Sequence, residues 1–173
     1  METTSIQKKI CLLGDLAVGK TSLVRQFVQH AFEEKYLSSI GVTISQTPVE
    51  VAENKTIQLV VWDLAGSEEH DGYRANYLQG AAGAILVCDL SREGTLHSMA
   101  KYQERLLAVS PNAQVLIFAN KTDLVPLRKI PEHQLERMAE ELNASYLIAS
   151  AKTGLNVENG FQWLARKLMF NTK

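Results

Sequence analysis

Two uninterrupted apolar runs, Ala84-Ile85-Leu86-Val87-Cys88 and Val115-Leu116-Ile117-Phe118-Ala119, constrain this chain more than any other feature. A strand with one wet face alternates polar and apolar residues. A strand apolar throughout has both faces covered, the condition of a parallel sheet between helices. Helical stripes lie between and after these runs: Leu96, Met99, Tyr102, Leu106 and Val109; then Leu135, Met138 and Leu142; then Val157, Phe161, Leu164 and Leu168. Strands are expected at Lys8 to Leu13, Val42 to Val51, Thr56 to Asp63, Gly83 to Asp89, Gln114 to Asn120 and Ser145 to Ser150. Asn54-Lys55 leaves no room for a helix, so the strands on either side form an antiparallel hairpin. Pro48 marks the first of them as an edge. The expectation is an α/β three-layer sandwich: a six-stranded, mostly parallel sheet with one antiparallel edge strand and about five helices. The 173 residues suit a single domain spanning 1–173.

Composition removes several function classes. Eighteen Lys and Arg against 19 Asp and Glu give a net charge of −1, without the basic surplus that nucleic acid or an anionic membrane would require. Cys11 and Cys88 each lie in an apolar run and read as small core residues of a reducing compartment, not as a disulfide framework or a zinc site. No segment approaches the ~18 apolar residues of a membrane span. A soluble, cytoplasmic monomer is expected.

The segment Gly14-Asp15-Leu16-Ala17-Val18-Gly19-Lys20-Thr21 fits G-x-x-x-x-G-K-[ST], follows an expected strand and opens a helix, which continues through Ser22. Its glycines permit a tight turn that brings backbone N–H groups against phosphate oxygens, and the helix adds its positive end. Lys20 supplies an ammonium to the β- and γ-phosphates, and Thr21 offers a hydroxyl to Mg²⁺. This is a nucleoside-phosphate site.

Asn120-Lys121-Thr122-Asp123 closes a later strand, where open α/β sheets place ligands. A carboxylate at Asp123 can accept from the N1–H and N2–H₂ donors of guanine, whereas adenine presents an acceptor there and would leave the acid unpaired. Asn120 can tie this loop to the phosphate loop, and the Lys121 stem can lie over the ring. Ser150-Ala151-Lys152 follows the next strand, where the Ala151 N–H would reach the guanine carbonyl oxygen. Asp63 ends another strand in Asp63-Leu64-Ala65-Gly66; an acid there can hold Mg²⁺ through a water, and Gly66 can offer its N–H to a γ-phosphate.

Together these segments resemble the Ras superfamily of small GTPases, most of all its Rab branch, over Lys8 to about Phe170. The resemblance implies the P-loop fold of that family and a switch that binds GTP and GDP with Mg²⁺, signalling in vesicle trafficking. It places Phe32 against the guanine edge and Ser39 where the family carries its Mg²⁺- and γ-phosphate-sensing threonine, eighteen residues after Thr21. Glu33 to Val42 resembles switch I and Gly66 to Leu78 switch II. Ile44, Trp62 and Tyr77 resemble the Rab triad that contacts effectors. Effectors, an exchange factor and a GTPase-activating protein are the implied partners.

The chain also departs from its relatives. Ser67 stands where most carry the glutamine that orients the attacking water, and its side chain is two bonds too short for that task. Hydrolysis slower than the ~3–5 × 10⁻⁴ s⁻¹ of Ras-type intrinsic turnover is expected. The alternative is a GTP-binding interaction module that scarcely hydrolyses. Leu16 and Ala17 replace smaller residues or glycine, and Glu69-His70-Asp71-Gly72 is unlike a basic, aromatic Rab switch II. Glu68 and His70 read as solvated switch residues. The last helix closes the chain without a tail of prenylated cysteines, so peripheral membrane association would need a removed lipidated tail or a recruiting partner.

Overall fold

The computed structural model describes residues 6–28, 33–37, 41–64 and 75–171, with 33–37 as backbone alone. The apolar runs form neighbouring strands. In chain order they are β1 (Ile6–Leu13), β2 (Glu33–Leu37), β3 (Val42–Ala52), β4 (Lys55–Asp63), β5 (Gly83–Asp89), β6 (Gln114–Asn120) and β7 (Ser145–Ile148). They pair in the order β2-β3-β4-β1-β5-β6-β7. Only β3 runs against the others, antiparallel to both β2 and β4. The strand order reverses at β1, flanked by β4 and β5, which opens a crevice beyond its carboxyl end.

All six expected strands are present, and the sheet carries a seventh, β2, outside β3. Its sequence, Glu33-Glu34-Lys35-Tyr36-Leu37, lacks apolar alternation; short, charged strands are what sheet edges use to resist further pairing. Because β2 reaches only Gln46, β3 has a neighbour on both sides over Val42–Gln46. Pro48 lies beyond that stretch, where β4 is the sole partner among the described residues. The hairpin turn is Glu53-Asn54, one residue earlier than expected, with Asn54 at φ +58°, a conformation that asparagine tolerates.

The helices are α1 (Lys20–Phe27), α2 (Ala75–Leu78), α3 (Gly94–His97), α4 (Met99–Val109), α5 (Glu132–Glu141) and α6 (Val157–Phe170). Ser98 alone separates α3 from α4, so one expected helix is present with a break in it. Alternation along β1 explains the two cores. Cys11 and Leu13 join Leu86, Cys88 and Ile117 under α2 to α5; Ile10 and Leu12 join Ile85, Val87, Leu116 and Phe118 under α1 and α6. Both thiols are fully buried, which pushes each up to about 12 and leaves them inert. No described helix is long and apolar enough to cross a membrane.

Candidate functional site

The carboxyl ends of β1, β4, β5 and β6 carry Gly14, Asp63, Asp89 and Asn120, and the turn after β7 carries Ser150. Gly14 begins the loop after β1, and a β-carbon there would lie 2.5 Å from the Val87 carbonyl oxygen. Gly19 caps α1 at φ +105°, where any side chain would overlap the Asn120 amide. The first turn of α1 holds no acid, so its positive dipole end suits an anion.

Lys20 is 3% exposed, and its ammonium donates to the carbonyls of Gly14 at 2.7 Å and Asp15 at 2.9 Å. Burial brings its pKa down to about 8, against the pull of Asp63 and Asp15 and with the help of Arg92. Thr21 Oγ1 donates to Asp63 Oδ2 at 2.7 Å, so two of the three expected metal-binding groups meet. One hydroxyl and one carboxylate match a hard cation such as Mg²⁺, which is held by few protein oxygens with substrate phosphates. Among the described residues no cluster of three His, Cys, Asp or Glu offers an alternative metal site.

Ala17 takes φ +61°, which favours glycine, and its carbonyl accepts from Lys121 Nζ at 2.7 Å. Leu16 projects into solvent, Val18 is buried, and Ser22 is exposed on the first turn of α1.

Asn120 joins the loops. Its Nδ2 donates to the Val18 carbonyl at 2.9 Å, and its Oδ1 accepts from the Ala151 N–H at 3.0 Å. That N–H, expected to face a guanine oxygen, is therefore already engaged. Ser150 Oγ donates to Asp123 Oδ1 at 2.7 Å and fixes the carboxylate. Lys152 is exposed on the same turn. Ile44 and Trp62 are register partners on β3 and β4, both packed against the core cluster that includes Tyr77 of α2. Phe32, Ser39, Gly66 and Ser67 lie outside the described residues, as do Glu68, Glu69, His70, Asp71 and Gly72 and much of both switch segments.

Sequence reasoning missed Asp89, Arg92, Ser98 and Tyr102. Asp89 ends β5 and is 1% exposed. Burial would raise its carboxyl, but hydrogen bonds from Lys121, Ser91 and Arg92 prevail and hold it at about 2. Its partners lie at 2.8 Å (Lys121 Nζ), 2.6 Å (Ser91 Oγ) and 3.1 Å (Arg92 Nε). The available signal was an acid closing an otherwise apolar strand; nothing marked the other three.

A depression of about 1400 Å³ opens between α4, α5 and α6 beside the starts of β6 and β7. That is the amino end of the parallel strands. Open α/β sheets bind ligands at the carboxyl end, where the glycine loop and the converging polar groups are.

Comparison with known proteins agrees with this geometry. The Ras family profile matches residues 9–170. Ras-related protein Rab-13 of Rattus norvegicus is 35% identical over 165 residues, covering 95% of this chain and 81% of its own. Ras-related protein Rab-4B of Homo sapiens is 36% identical over 170 residues, covering 97% and 79%. Ras-related protein RABA4d of Arabidopsis thaliana is 36% identical over 154 residues, covering 88% and 69%. The chain belongs to the Ras family and is a Rab-like small GTPase.

Proposed function

We propose that residues 1–173 form one nucleotide-binding domain that switches between GTP- and GDP-bound states in the cytoplasm, hydrolyses GTP slowly and serves vesicle trafficking. The observation that carries this reading is Asn120. One buried amide braces the phosphate loop at Val18 and the base-side loop at Ala151, so phosphate grip and base choice are built as one unit.

In this reading the N–H groups of Asp15 to Thr21, with Ser22 after them, face the phosphate chain. Lys20 turns its ammonium from the loop carbonyls towards the β- and γ-phosphates. Asp123, fixed by Ser150, accepts from the guanine donors, while the Lys121 stem and Phe32 flank the ring and Ala151 and Lys152 border the base. Thr21, Ser39 and Asp63 would hold Mg²⁺, which would supply positive charge against the negative charge that develops during phosphoryl transfer. Gly66 contacts the γ-phosphate, and loss of that phosphate releases both switches. Ile44, Trp62 and Tyr77 then present a changed surface to effectors, an exchange factor and an activating protein.

Titration with labelled GDP and Mg²⁺ tests the core of the proposal. Saturable binding is expected, and Asp123→Asn should weaken GDP by on the order of a hundredfold or more, because a guanine donor then faces an amide that cannot accept as two carboxylate oxygens do. Uptake of ATP in preference to GTP, or an Asp123→Asn protein with undiminished GDP affinity, would refute it.

A further inference from the structure

The phosphate loop is gripped from its outer side by three side chains that belong to no motif. Arg92 Nη2 donates to the Leu16 carbonyl at 2.7 Å. Ser98 Oγ donates to Asp15 Oδ2 at 2.7 Å, and the Tyr102 hydroxyl donates to Asp15 Oδ1. The three residues come from the turn before α3, the junction of α3 with α4, and the first turn of α4. Arg92 is itself fixed by Asp89 at 3.1 Å.

All three bonds have a charged partner, the stronger class of hydrogen bond. They also orient Asp15. A carboxylate in this loop would repel a phosphate chain, and Ser98 and Tyr102 turn it towards α4. A loop ordered before binding loses little freedom when ligand arrives, so its binding energy is kept as affinity.

We infer that Arg92, Ser98 and Tyr102 are positioning residues that latch the phosphate loop to α3 and α4 and so set how fast a bound nucleoside diphosphate leaves. The inference rests on the nucleotide-binding reading above. It also makes the outer face of α3 and α4 a lever on release, since a displacement there reaches the phosphates through three bonds.

The test uses the full chain with Mg²⁺ and follows labelled GDP chased by excess unlabelled GDP, for the wild type, Tyr102→Phe and Arg92→Ala. Tyr102→Phe keeps the ring and deletes only the donor, so it separates the latch from packing. Each variant should release GDP roughly three- to tenfold faster, a part of what one charge-assisted bond is worth. The preference for GDP over GMP should fall by the same factor, with GMP affinity unchanged, because GMP lacks the β-phosphate that the loop cradles. GDP release within about twofold of wild type in both variants overturns the latch, as does an equal loss of GDP and GMP affinity. A wild-type protein without saturable GDP uptake overturns the nucleotide-binding reading and the latch together, so the two failures are told apart.

Discussion

Lys20 illustrates how one residue can have opposite pH effects on folding and on binding. With its pKa brought to about 8 by burial, it loses its proton in the folded, nucleotide-free protein well before the same lysine does in an unfolded chain, near 10.5. Between those values the unfolded chain binds more protons, so this residue makes nucleotide-free stability rise with pH across that window. Binding runs the other way. A phosphate chain needs the ammonium, and above about pH 8 the protein must first take up a proton. GDP affinity should therefore be level below pH 8 and fall by up to about tenfold per unit above it. Fluorescence titration from about pH 7 to 9.5 measures this; an affinity independent of pH over that range would mean that Lys20 is not the partner of the phosphates.

Among the elements, α6 and β6 connect packing to the site. Gly160 faces β6 so closely that a β-carbon would overlap the Phe118 ring, and Phe118 meets Phe161 edge to face at 6.0 Å. Phe118 is two residues from Asn120, the brace between the loops. Gly160→Ala should cost about 1–3 kcal/mol through overpacking, a fall in Tm of roughly 2–12 °C for a chain of this size. Thermal unfolding measures it, and an unchanged midpoint would mean that α6 is free to draw back. These elements were legible because their signals are local: an apolar run for β6, a 3.6-residue stripe for α6, a glycine spacing for the phosphate loop. β2 was not legible, since its pairing energy comes from β3 and its own residues are charged. Nor were Arg92 and Tyr102, whose contacts with Leu16 and Asp15 bridge 76 and 87 residues of sequence and follow no spacing rule. Asp123 was readable from chemistry alone, yet its fixing partner Ser150 acquires that role only where β6 and β7 lie side by side.

At the scale of the whole molecule the decisive quantity is the lifetime of the GTP state, which depends on parts from opposite ends of the site. Hydrolysis in this fold depends on positioning and electrostatics, with little covalent chemistry for the protein to supply. The residues proposed to grip the phosphates and the ion, Lys20, Thr21 and Asp63, lie together at the ends of β1 and β4. The group expected to orient water is the one that differs, a serine at 67 whose side chain is two bonds shorter than a glutamine's. Ser67→Gln should raise single-turnover hydrolysis about tenfold, towards the ~3–5 × 10⁻⁴ s⁻¹ scale, without changing GDP affinity. Phosphate release from preloaded GTP measures both the parent rate and the gain. If the rate stays fixed, the restriction lies at Leu16, whose side chain is 62% exposed in the phosphate loop, or in the rest of switch II. Leu16→Gly added to Ser67→Gln should restore turnover in the first case and leave it unchanged in the second. A parent protein that hydrolyses as fast as its glutamine-bearing variant would show that water is ordered by another group, and the long-lived switch would have to be abandoned.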